Sequence, residues 1–207
     1  MQHSDYDAWL VDLDGTLYRP KLIKLLMAAE LLLTGAWHIP LLRRFRKEHE
    51  KMREESSTTN APLISSTTPF DQQVQRTALA TTKAEESVRT VVMDWMVQRP
   101  AKWLGWAKRQ ALLDEIAAFR TRGGRTALVS DYPARVKLEA LGATPLFDAV
   151  IANGEHPELL QLKPQPDGYL LAARALGVPP EKCLVIGDRD DADGGAAQQA
   201  GMGFRKV

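Results

Sequence analysis

The chain has 207 residues, 44% of them hydrophobic and 26% charged, a formal net charge of +1 and one cysteine. That length suits one domain or a core with an insertion, and the composition excludes a disordered chain. The small net charge argues against a nucleic-acid partner, and Cys183 alone excludes an internal disulfide.

The N-terminus has no basic stretch leading into an apolar one, so export is not expected and a cytoplasmic protein is. The first strand is Ala8–Leu13, and it runs straight into Asp12-Leu13-Asp14-Gly15-Thr16. A buried strand avoids unpaired carboxylates, so an apolar run that stops at two acids reads as a strand ending at a site.

From 19 to about 107 no strand is expected. Helices are read at 21–35, 41–55 and about 71–98, with a further turn or helix around Trp103 and a Ser/Thr/Pro-rich loop at about 56–70. The stretch 22–42 is very apolar, but Lys24 and Glu30 interrupt it and Gly35 and Pro40 disturb its second half. A spanning helix needs about 20 largely uncharged residues, so a core helix, or one packed on a partner, is favoured over membrane contact. Leu22, Leu25, Leu26, Ala29, Leu32 and Leu33 form its apolar stripe, expected to be covered by the helix carrying Val88, Val91, Val92 and Trp95. Trp95, Trp103 and Trp106 read as packing residues. Arg43, Arg44, Arg46 and Lys47 read as a solvated face, with anion binding the alternative, and His3, His38, His49 and His156 show no ligand spacing.

Beyond 108 helices and apolar runs alternate: helix 109–123, strand 125–131, helix 133–142, strand 147–153, helix 166–177, strand 182–188, helix 193–201 and a short strand 203–207. Cys183 falls within the third of these strands and reads as buried and inert. Apolar runs separated by helices indicate a parallel sheet buried on both faces, with ligands beyond the carboxyl ends of the strands. Those ends carry Asp12 and Asp14, Ser130 and Asp131, Asn153, and Gly187 and Asp188. Acids gathered at one edge repel one another, and a hard cation such as Mg²⁺, which accepts a few carboxylates plus substrate phosphate, relieves that repulsion. An aspartate beside it can attack phosphorus, and a second carboxylate two residues away can shuttle the proton.

At this point the chain resembles the haloacid dehalogenase-like hydrolases, a family composed mostly of phosphatases. Asp12-Leu13-Asp14-Gly15-Thr16 is similar to their first motif, Ala127–Asp131 to the second, and the segment from Leu162 to Asp188 to the third and fourth. The resemblance implies Asp12 as nucleophile and metal ligand, Asp14 as general acid/base and metal ligand through its carbonyl, and Thr16 as a support. It implies Ser130, with Asp131 beside it, as phosphoryl-binding, Lys163 as the lysine that offsets charge, and Asp188 as a metal ligand. Asp193, five positions on, supports the metal site in preference to Asp190 or Asp191.

The implied architecture is α/β: a Rossmann-like doubly wound parallel sheet formed by 1–18 and 108–207, with 19–107 an inserted all-helical cap. The implied activity is Mg²⁺-dependent hydrolysis of a small phosphorylated metabolite through an aspartyl-phosphate. Asp14 argues against halide displacement, whose leaving group needs no proton. A phosphosugar mutase, a phosphatase for a lipid-linked phosphate at a membrane surface, and a non-catalytic phospho-ligand module are the alternatives. The oligomeric state is left open.

Overall fold

Trp9 and Val11 point to one side of β1 (Ala8–Val11), Ala8 and Leu10 to the other, and all four are buried. Both faces of this strand are therefore core, which the period of two in a strand requires of an unbroken apolar run. The computed structural model describes residues 6–58 and 67–207. The loop expected at 56–70 falls largely outside the described residues, and Thr58 still belongs to a helix.

The sheet is parallel throughout, in the order β3-β2-β1-β4-β5, with β2 Arg125–Ser130, β3 Ala149–Ala152, β4 Cys183–Gly187 and β5 Gly203–Lys206. Val11 pairs with Leu128 on one side and Ile186 on the other, so the three central strands end at one level. Trp9, Val11, Leu128 and Ile186 share a core with Leu112, Leu113, Ile116 and Phe119 of α6 (Gln110–Thr121) and Leu138 and Leu141 of α7 (Arg135–Leu141). The opposite face packs Leu10, Val129 and Val185 against Tyr169, Ala172 and Leu176 of α8 (Asp167–Leu176) and Ala196 and Ala197 of α9 (Gly195–Ala200). This is the doubly wound layering expected from the alternation beyond 108.

The helical cap enters after Tyr18 and returns at Lys108, where these two residues form an isolated antiparallel bridge. It comprises α1 (Pro20–Thr34), α2 (Ile39–Thr58), α3 (Pro69–Thr81), α4 (Glu85–Val92) and α5 (Arg99–Ala107), the last two joined by a π-helical turn at Met93–Gln98. The single helix expected at 71–98 is thus divided. Thr82 closes α3 in the left-handed conformation, φ 54°, with its amide bonded to the Ala78 carbonyl. Glu85 and Glu86 then open α4, where acids favour the positive end of the helix.

The expected cover for α1 is not the one the structure has. Val88, Val92 and Trp95 pack with Leu41, Leu42 and Phe45 of α2 and Phe70 and Val74 of α3. From α1, Ile23, Met27 and Leu31, four apart on one face, turn inward. Glu30 accepts hydrogen bonds from Arg99 (2.7 Å) and Lys102 (2.9 Å), and this pins α1 to α5 and not to α4. The stripe of Leu22, Leu25, Ala29, Leu32 and Leu33 is left exposed, Leu25 at 67% and Leu33 at 84%, with only Leu26 partly covered. Trp95 is buried and Trp103 partly so, but Trp106 is 86% exposed.

The two helix faces should respond differently to truncation. Phe45 is fully buried and meets the Phe70 ring edge-on at 5.9 Å, so Phe45→Ala is expected to cost about 3–5 kcal/mol. Leu25→Ala is expected to stay within about 0.5 kcal/mol of wild type. Urea unfolding of the two variants measures both, and equal losses would contradict this packing.

Candidate active site

Asp12 is the first residue past β1, and its amide still bonds to the Ile186 carbonyl of β4 at 2.9 Å. The chain then turns through Gly15, whose φ of +105° side chains rarely adopt. A Cβ there would lie 2.1 Å from Asp188 Oδ2, so the bare backbone also makes room for that carboxylate. Gly187 does the same for Asp193, with a built Cβ falling 2.4 Å from its Cγ. Both turns put acids against the end of β1.

The central contact is made by Lys163. Its buried Nζ donates to Asp12 Oδ1 at 2.6 Å, Asp193 Oδ1 at 2.9 Å and the Val129 carbonyl at 3.2 Å. Burial alone would lower this ammonium, but Asp12 and Asp193 outweigh it and hold the group well above its ordinary value. Asp193 is engaged through both oxygens, since Tyr169 Oη also donates to Oδ1 (2.8 Å) and the Arg189 amide to Oδ2 (3.2 Å). Asp12 is not saturated. Its Oδ2 is buried and accepts no hydrogen bond. Burial pushes this carboxyl up to about 7 against the pull of Lys163.

Asp14 is held differently. Lys137 of α7, itself buried, donates to both its oxygens at 2.6 and 2.9 Å, and the Tyr18 hydroxyl donates to Oδ1. Burial would raise Asp14, but Lys137 and Tyr18 prevail and keep it below the usual carboxylate range. Two aspartates two residues apart therefore sit in opposite electrostatic states, as different roles in proton transfer require. Ser130, buried at the end of β2, accepts the Tyr132 amide at 3.2 Å, which leaves its own hydroxyl proton to give. Asp131 accepts the Lys163 amide at 3.3 Å and so anchors the loop that carries the lysine.

Asp12, Asp14, Ser130, Asp131, Lys163, Asp188 and Asp193 all line one pocket of about 130 Å³. Thr16 and Asn153, also named at these strand ends, are buried but do not line it. One oxygen each of Asp12, Asp188 and Asp193 lie within 4.8 Å of one another. Burial and Asp193 raise Asp188. An all-oxygen donor set with one unpartnered buried oxygen fits a hard divalent cation. Asp190 and Asp191 are exposed and pair with Lys206 and Arg189 instead.

The rest of the wall comes from the cap. His49, Glu50 and Arg53 of α2 line the pocket, with His49 stacked on Tyr132 at 4.6 Å between centroids. Arg53 Nε donates to the Lys163 carbonyl at 2.9 Å, and the Phe70 amide donates to Asn153 Oδ1 at 2.8 Å. Arg43, Arg44, Arg46 and Lys47, offered as the anion-binding alternative, are not among the lining residues.

A family model for haloacid dehalogenase-like hydrolases matches residues 6–201. The chain belongs to that family. Within it the sequence is 44% identical over 71 residues to fructose-1-phosphate phosphatase YqaB of Escherichia coli, covering 33% of this chain and 35% of that protein. It is 35% identical over 109 residues to the protein CbbY of Rhodobacter capsulatus, covering 52% of this chain and 42% of that one. The matches thus span well under half the length of these curated relatives. Among solved structures, L-2-haloacid dehalogenase from Xanthobacter autotrophicus superposes with a TM-score of 0.64 at 19% identity, over 98% of this chain and 77% of that one. That likeness is one of fold.

Lys137, Tyr18, Tyr169, His49 and Arg53 were not anticipated as site residues. Two left a signal. Lys137 falls on the inner stripe of its helix with Ala134, Leu138 and Leu141, and His49 on that of Phe45 and Met52. A polar residue at a core position of a helix near strand ends marks a buried partner.

Proposed function

We propose that the protein is a Mg²⁺-dependent phosphomonoester hydrolase that acts in the cytoplasm on a small phosphorylated metabolite. The observation that carries this reading is Asp12, with Oδ1 fixed by Lys163 and Oδ2 buried without a partner. Oδ2 attacks phosphorus, the bond to the ester oxygen breaks, and that oxygen leaves with a proton from Asp14. Lys137 holds Asp14 below the usual carboxylate range, so Asp14 takes that proton from solvent as substrate binds, when the like charge of a phosphate dianion raises its proton affinity. In the second half Asp14 takes a proton from water, which opens the aspartyl-phosphate and releases phosphate. Ser130 donates its hydroxyl to the phosphoryl group and Lys163 offsets its charge, while Asp193 keeps the lysine in place. Mg²⁺ held by Asp12, Asp188 and the Asp14 carbonyl would neutralise the phosphoryl oxygens. The cap residues His49, Glu50 and Arg53 close the pocket over the substrate and exclude water. The name of the Escherichia coli relative, a sugar-phosphate phosphatase, supports a small phosphorylated substrate.

Phosphate release from a panel of sugar, nucleotide and glycolytic phosphates, with and without Mg²⁺, tests the activity. Turnover of at least one member is expected with Mg²⁺ and none in excess EDTA, and full activity in EDTA would refute the reading. Asp188→Ala is expected to lower activity, with partial rescue at high Mg²⁺.

The metal has a second readout. Asp12 ionises near 7 in the folded protein against an ordinary value of 3.8. Between those values the folded state holds a proton that the unfolded state does not, so this group's contribution to stability falls as pH rises through that window. A cation needs the ionised form and competes with the proton. Mg²⁺ should therefore raise Tm more at about pH 8 than at about pH 5.5. A shift of the same size at both would contradict the proposed ligand set.

A further inference from the structure

Helix α1 carries apolar side chains on its inner and outer sides alike, and only the inner side is used. Leu22, Leu25, Leu32 and Leu33 are exposed on the outer side, together with Ala28 and Ala29. Trp37, 72% exposed, stands just past the end of the helix. A run of exposed leucines along one side of a helix marks a surface that something covers. Exposed Leu with a terminal Trp is the composition of a helix lying at a lipid–water boundary.

Charge decides between occupants. Residues 20–47 carry six basic side chains, Lys21, Lys24, Arg43, Arg44, Arg46 and Lys47, against the single acid Glu30. Glu30 faces inward and is neutralised by Arg99 and Lys102. Lys21, Lys24, Arg43, Arg46 and Lys47 are exposed. Since the whole chain is only +1, the remainder is net acidic, and 20–47 is a basic, apolar segment. Two copies meeting through this face would bring like charges together, whereas an anionic surface complements it.

We propose that the outer face of α1 docks the protein on an anionic membrane surface, lying in the plane of the interface. Spanning is not its geometry. Fifteen residues reach about 22 Å, short of a hydrocarbon core of about 30 Å. No single helix among the described residues is long and apolar enough to cross, and α1 and the following helix are bent by 108°. The inner face of α1 is engaged by α5, so only the outer Leu side chains enter the lipid. The docked element begins within a few residues of Asp14, and α2 beyond the bend carries His49 and Arg53 into the pocket wall.

Vesicle flotation tests this without reference to catalysis, so its failure and that of the hydrolase reading are separable. Wild type should float with phosphatidylcholine vesicles holding about 30% phosphatidylserine, not with phosphatidylcholine alone, and less as salt rises. Leu25→Glu/Leu32→Glu changes two exposed positions, so its circular dichroism and phosphate release should match wild type while flotation falls at least about tenfold. Lys21→Glu/Lys24→Glu should weaken flotation as well. Wild type that stays at the bottom of the gradient overturns the proposal, as does a leucine variant that still floats. So does a wild-type dimer, seen by sedimentation, that the leucine variant splits without either form binding vesicles. That last result would assign the face to a second copy.

Discussion

Asp12→Asn is expected to lower turnover by at least roughly 10⁴-fold, the scale on which loss of a nucleophile is felt. The same change should leave the fold intact and its Tm equal to or slightly above that of wild type. Asparagine nearly matches aspartate in shape, and it removes a charge that burial disfavours strongly enough to raise the carboxyl to about 7. Lys163 keeps Asp193 and the Val129 carbonyl as partners, so no buried ammonium is stranded. Here stability and activity pull in opposite directions, as at sites where a poorly solvated group is held ready to react. Beryllofluoride, which mimics a phosphoryl group on a carboxylate, should raise the Tm of wild type with Mg²⁺ and not that of the variant. Undiminished phosphate release from a folded Asp12→Asn protein would remove the proposed mechanism altogether.

The residues around Asp12 were readable because of where parallel strands end. An apolar run buried on both faces has to stop before a charge, so the stops at Asp12, Ser130 and Asp188 mark one edge of one sheet. The pocket follows from that edge, and Lys163 enters it from a loop. Lys137 and Tyr169 were hidden for the opposite reason. Lys137 reaches Asp14 across 123 positions and Tyr169 reaches Asp193 across 24, while Tyr18 bonds Asp14 only four positions away and was hidden by reading as an ordinary apolar-strand neighbour. A lysine in an amphipathic helix is ordinarily solvated, and only its place on the inner stripe sets it apart.

The cap was legible as helices but not as a packing. For α2, polar and apolar residues differ enough to show which side turns inward, and Phe45 is buried where that pattern puts it. For α1 the pattern is less decisive, because apolar residues lie on the inner and outer sides alike. The choice of face falls to the Glu30 pairing with Arg99 and Lys102, a tertiary contact spanning about 70 positions. The stripe with the most leucines was therefore the natural choice for the core, and it is the one left outside.

Lys163→Met is expected to damage both the fold and the chemistry. The methionine fills a similar volume but leaves Asp12 and Asp193 buried without their cation. Breaking a buried ion pair from one side costs about 3–5 kcal/mol, because a charge is left uncompensated. Asp193 keeps Tyr169 and the Arg189 amide, so the loss should concentrate on Asp12. Adding Asp12→Asn to Lys163→Met removes that stranded charge. The double variant should then recover stability relative to Lys163→Met, with a coupling of about 1–3 kcal/mol in a double-mutant cycle. Turnover should be absent from the double variant all the same, which separates the two roles. Denaturant unfolding of the four proteins at about pH 8, where most of Asp12 is ionised in the folded state, gives the cycle. The same cycle at about pH 5.5 should show a smaller coupling, since Asp12 then carries its own proton. A Lys163→Met protein as stable as wild type at both pH values would mean that the lysine does not compensate the buried acids, and the electrostatic account of the pocket would fail with it.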